Sequence, residues 1–213
     1  MTTAARAAYR VGADVMVELV TGPAVADAWD APSVLDGMSV GELAAHVARS
    51  VLQVEWYLDG PLDDEAPLVD AASYYADLTG TTDPSSTLNT GVRARSAQTA
   101  AQGRDALVAE LTAARERLRA RLPLESDERR MTVRHHGHTL LLDEYLRTRC
   151  VELAVHTEDL ALSVGSDVRA PEETLAAAVD VLVGAARRRN GDSAVMHALA
   201  RRERDDEDAL RVL

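Results

Sequence analysis

DEYLRTRCVELAVHTEDLALSV, residues 143–164, reads as one helix, with Asp143 placed to cap its start and Gly165 to end it. Within it, Glu152 and His156 stand four residues apart. They therefore lie one turn apart on the same face, with their Cβ atoms roughly 5–6 Å from each other, and can chelate one ion together. A helix rarely supplies a third ligand on that face by itself. His46, in the middle of a second helix expected over Val40–Leu58, supplies it if the two helices pack side by side.

That pairing implies a bundle, and the rest of the chain is compatible with one. Apolar residues recur at helical spacing from Thr3 to about Ala28 through Tyr9, Val15, Met16, Leu19 and Val20, with Gly22-Pro23 disturbing the end. Ser39 and Glu42 have capping-box spacing ahead of the second helix. Residues 59–94, rich in Gly, Pro, Asp, Ser and Thr, form a long connection with a short helical candidate at Leu68–Leu78. Leu107, Leu111, Leu118 and Leu122 then fall on one face of a long helix expected over Thr90–Leu122.

Met131–Arg134 and Thr139–Leu142 flank His135, His136, Gly137 and His138, a pattern suited to a small β-hairpin before the fourth helix. Pro171 opens a fifth helix reaching Arg187–Arg189, and a further helix can follow Asp192. The expected architecture is all-α: a four-helix bundle over residues 1–164 with a long crossover, and a C-terminal helical extension over 165–213 packed on it.

Composition narrows the function. A formal charge of −12 leaves no basic field to gather phosphates, so neither nucleic acid nor an anionic membrane is an expected partner. All 23 basic residues are arginine, which rules out Schiff-base chemistry on a lysine. Cys150 is the only cysteine; it lies on the opposite side of its helix from Glu152 and reads as a small core residue. With no apolar stretch approaching the ~20 residues of a membrane span, the chain is expected to be soluble and cytoplasmic.

Two neutral imidazoles and one carboxylate suit Zn²⁺ with an open coordination position, although Fe²⁺ and Ni²⁺ accept the same donors. Asp159, three residues past His156, is placed to hold the second imidazole nitrogen. Arg149, three residues before Glu152, can orient that carboxylate or bind the acid group of a small molecule. Each residue also has an ordinary reading: His46 as a hydrogen-bonded core histidine, Glu152 and His156 as a helix-face pair. His135, His136 and His138 read mainly as surface turn residues, and Arg201, Arg202 and Arg204 as part of a solvated charged helix.

Taken together, Trp29, Pro32, Ser33, Leu35, Gly37, the run V-G-E-L-A-A-H ending at His46, and the run E-L-A-V-H-T-E-D-L at 152–160 resemble the mycothiol-dependent maleylpyruvate isomerase N-terminal domain, within the wider DinB-like metal-binding bundles. The resemblance covers roughly residues 1–164; Met38 stands where that family often has tryptophan. It implies metal ligation by His46, Glu152 and His156, and mycothiol as the thiol cosubstrate. It also implies thiol transfer to, or isomerisation of, a small electrophilic substrate. A non-catalytic metal-binding or regulatory bundle is the alternative, and homodimerisation is left open.

Overall fold

The computed structural model describes residues 3–78, 83, 85–200, 203 and 208–213. Helix α1 spans Ala4–Thr21, its N-terminus capped by Thr3, whose hydroxyl accepts from the Arg6 amide. Gly22 and Pro23 end it and start a short α2, Pro23–Asp27, so the expected helix to Ala28 exists in two pieces. Helix α3, Val40–Leu58, opens on the expected capping box. Ser39 Oγ accepts from the Glu42 amide at 3.1 Å, and Glu42 Oε2 accepts from the Ser39 amide at 2.7 Å. Gly41 is required here by packing, since a Cβ would lie 2.5 Å from the Trp29 ring.

The crossover holds α4, Ala71–Asp77, and gives way to α5, Thr87–Ala100. The single helix expected over Thr90–Leu122 is in fact two, α5 and α6, the latter Arg104–Arg121. Between them Gly103 adopts φ 93°, a left-handed conformation that glycine alone adopts without strain, and it reverses the chain. Strands β1, Arg130–Val133, and β2, His138–Leu141, pair antiparallel as the expected hairpin, with the turn at 134–137.

Strand β2 runs directly into α7, Leu142–Ser163. Its N-cap is Leu141 rather than Asp143, because the Leu142 amide is already taken by the Arg129 carbonyl at 2.7 Å. Asp143 sits inside the first turn instead and accepts from Arg6 Nε at 2.8 Å. Helix α8, Glu172–Ala200, is kinked at Gly191, so the two C-terminal segments expected on either side of Asp192 are joined by a bend. Arg201, Arg202 and Arg204 lie outside the described residues.

Helices α1, α3, α6 and α7 form the bundle, and α8 packs on α7, α4 and α1. Met16, Leu43, Leu111, Leu146 and Leu153 are fully buried between the four bundle helices. Each such side chain contributes roughly 1.5–3 kcal/mol by leaving water. Helix α5 packs on α3, and a cavity lies between α3, α5, α4 and α7. Among the described residues no helix is long and apolar enough to cross a membrane.

Candidate metal centre

His46 projects from the middle of α3, and Glu152 and His156 from successive turns of α7, so the packing of these two helices decides whether the three meet. They do. Nε2 of His46 lies 3.8 Å from Glu152 Oε2, and Nε2 of His156 lies 3.7 Å from the same oxygen. The two rings stand edge to face with centroids 4.5 Å apart, and one donor atom from each of the three residues falls within a 4.8 Å group.

These separations are too long for hydrogen bonds. They are close to the ~3.4 Å expected between donors that each sit about 2.1 Å from one tetrahedral ion. Two imidazole nitrogens aimed at one carboxylate oxygen, with no proton shared between them, fit a divalent cation.

Around the three donors the protein supplies supports. His156 Nδ1 lies 3.0 Å from Asp159 Oδ2, which fixes the Nδ1–H tautomer and leaves Nε2 with its lone pair. The Tyr75 hydroxyl, on α4, lies 2.7 Å from Glu152 Oε1 and holds the carboxylate from its far side. Tyr75 is itself set by Arg189 of α8, whose guanidinium donates to the carbonyls of Tyr75, Ala76 and Leu78. The extension beyond residue 164 thus reaches the site through α4.

Arg149 is buried, its Nε donating to Thr148 Oγ1 at 3.1 Å and its guanidinium carbon 4.9 Å above the Tyr145 ring. It forms no direct ion pair with Glu152; it lines the cavity instead, as does the half-buried Arg49 one turn past His46. The cavity measures about 740 Å³ and is walled on its apolar side by Met38, Leu35, Tyr74 and Val155. His135 and His136 lie in the turn as expected, His135 exposed and His136 half-buried, and both also line the cavity; His138 faces Asp77 at 3.4 Å. Cys150 is buried as expected, and burial pushes its thiol up to about 12.

Burial, and then the neighbouring His156, lower His46 from 6.5 to about 3, so its imidazole is neutral and ready to donate to a metal. Burial alone would raise the Glu152 carboxyl, but Arg149, His156, His46 and the Tyr75 hydroxyl outweigh it and hold the group at about 2. In the metal-free protein both groups make acid destabilising. His46 contributes stability that is complete above pH 6.5 and lost as the pH falls toward 3; Glu152 adds its loss below 4.5. Urea unfolding of metal-free protein is expected to show a fall of roughly 2–3 kcal/mol between pH 6.5 and about 4.5. His46→Leu should flatten this fall, and an unchanged slope would disprove the assignment.

A family model, the mycothiol maleylpyruvate isomerase N-terminal domain, matches residues 9–161. The chain belongs to this family. As in the reading from sequence, the match spans both V-G-E-L-A-A-H and E-L-A-V-H-T-E-D-L. No curated protein and no solved structure matches the chain. Three supporting residues escaped the sequence: Tyr75 and Arg49 within this mycothiol maleylpyruvate isomerase N-terminal domain, and Arg189 beyond its matched span. Only Arg49 left a local signal, its spacing of one helical turn from His46.

Proposed function

We propose that the protein is a metal-dependent enzyme, with zinc as the suited ion, that uses mycothiol to add to or isomerise a small electrophilic substrate. The observation that carries this reading is the convergence of His46 Nε2, Glu152 Oε2 and His156 Nε2 at the wall of one deep cavity, in a chain of a mycothiol-related family. His46, Glu152 and His156 would hold the ion, leaving a coordination position open toward the cavity. A divalent cation held there would lower the thiol's pKa and favour the thiolate.

The remaining work falls to the chain itself. Asp159 and Tyr75 fix the orientation of His156 and Glu152, so the donors need no rearrangement. Arg149 and Arg49 present guanidinium groups to the cavity and would receive the acid group of a substrate, while Met38, Tyr74 and Val155 exclude water around it. Thiolate addition to a conjugated double bond permits rotation; elimination completes an isomerisation, and release of the adduct completes a transfer.

The test is metal content by elemental analysis of protein purified without a histidine tag, on wild type and His46→Ala in parallel. Wild type should carry about one equivalent of a divalent ion that His46→Ala lacks, and should consume mycothiol with an electrophile from a broad panel. No metal in either protein, even after reconstitution, would overturn the reading.

A further inference from the structure

The tip of the hairpin enters the wall of the cavity between α3 and α4. His135 Nδ1 lies 2.9 Å from the Tyr57 hydroxyl of α3, and the two rings are stacked at 6.1 Å and 29°. Tyr57 is held in turn by an edge-on contact with fully buried Tyr145, centroids 5.6 Å apart. His136 packs against His135 at 4.1 Å and edge-on against Tyr74 of α4 at 5.2 Å. His135 remains exposed in the turn, so these contacts orient its ring without closing it off from solvent. They fix one imidazole, by one nitrogen, on the wall of the cavity that also contains His46, Glu152 and His156.

We propose that His135 is a catalytic acid–base residue of this site and that Tyr57 is its positioning residue. This role rests on the reading of the protein as a thiol-using enzyme. In the required tautomer, Nδ1–H donates to Tyr57 Oη and Nε2 keeps its lone pair. Nε2 takes the proton from the thiol sulfur. The sulfur electron pair forms a C–S bond at the β-carbon of a conjugated carbonyl, and the π pair shifts to the α-carbon and its enolate oxygen. Nε2–H then returns the proton to the α-carbon, so hydrogen and sulfur have added across the double bond with nothing left over. In an isomerisation the C–S bond breaks after rotation, and the proton returns to sulfur.

The surroundings keep His135 in its neutral form. Burial comes first, and Arg95 of α5, Arg49 of α3 and Arg149 of α7 add to it, holding the imidazole below 6.5. Tyr57, whose own ionisation burial pushes up, stays a hydroxyl and accepts from the ring in either protonation state. His136 and, across it, Tyr74 complete the groups facing the ring.

The experiment uses metal-loaded protein, mycothiol and benzylideneacetone, with rates followed across pH for wild type, His135→Asn and Tyr57→Phe and metal measured on each preparation. Asparagine keeps a donor toward Tyr57 but cannot take a proton. Turnover of His135→Asn should fall on the order of 100-fold with full metal content and unchanged thiol KM. The acidic limb of the wild-type pH profile should disappear, and added imidazole should restore part of the rate. Tyr57→Phe should shift that limb with a smaller loss. Wild-type turnover and pH profile in His135→Asn, or loss of its metal, would overturn the role while leaving the functional reading standing. Metal-loaded wild type that consumes no mycothiol with benzylideneacetone or with any other electrophile of the broad panel would overturn the functional reading, and this role with it.

Discussion

Glu152→Gln is expected to strip the protein of its metal and to weaken the metal-free fold as well. Structural zinc sites of four protein ligands gain roughly 10–16 kcal/mol, or about 2.5–4 kcal/mol per donor. Losing one donor should therefore cost roughly 100- to 1,000-fold in affinity, toward the upper end here because Glu152 is the anion of the set. Asp159→Asn leaves all three donors in place and disturbs only the tautomer of His156, so its loss should be smaller, about 10–100-fold. Competition against a chromophoric chelator ranks the two variants. The fold suffers because Arg149 is buried without a direct ion pair among the described residues and draws its counter-charge from Glu152 across the cavity wall. Breaking a contacting buried pair costs roughly 3–5 kcal/mol; at this longer separation about 2 kcal/mol is expected, read by urea unfolding of metal-free protein. A glutamine variant that binds metal as wild type does would remove Glu152 from the site.

Much of this site was legible in the sequence because its donors obey local rules. Glu152, His156 and Asp159 follow one another at helical spacing, and His46 lies mid-helix behind a capping box that sets where α3 begins. What local rules do not encode is contact between segments far apart in the chain. Tyr75 reaches Glu152 from a seven-residue helix in the crossover, and Tyr57 meets His135 across 78 residues. The hairpin was expected from its pattern, but which way its histidines face depends on the helices that flank it. The break at Gly103 was missed for a related reason. Alanine, arginine and leucine favour a helix on both sides, and one glycine there costs only ~1 kcal/mol by propensity; the packing of α5 and α6 against α3 decides the turn.

Arg6→Met is expected to cost roughly 3–5 kcal/mol of stability without touching the metal site. Arg6 is 2% exposed, on the first turn of α1. Its Nε donates to Asp143 of α7, Nη1 to the Leu122 and Glu125 carbonyls, and Nη2 to the Ser126 carbonyl. One guanidinium therefore joins the start of α1, the end of α6 and the start of α7, and satisfies backbone acceptors in a segment that has left its helix. Methionine preserves the aliphatic stem but removes every donor. The carbonyls then lose their partners, and Asp143, 22% exposed, loses its cation. Arg6→Lys keeps the charge but lacks the planar fork, so it should recover only part of the loss. Removing the cation and the anion together, as Arg6→Met with Asp143→Leu, should cost less than Arg6→Met alone, because the other carboxylate beside Arg6, Asp127, is exposed and stays solvated. For a chain of this size the single substitution should lower Tm by about 6–20 °C. Metal stoichiometry measured well below that Tm should stay at the wild-type value, which separates a failure of the frame from a failure of the site. A loss under ~1 kcal/mol would place Arg6 with ordinary surface ion pairs and break this account of how the two helix ends are joined.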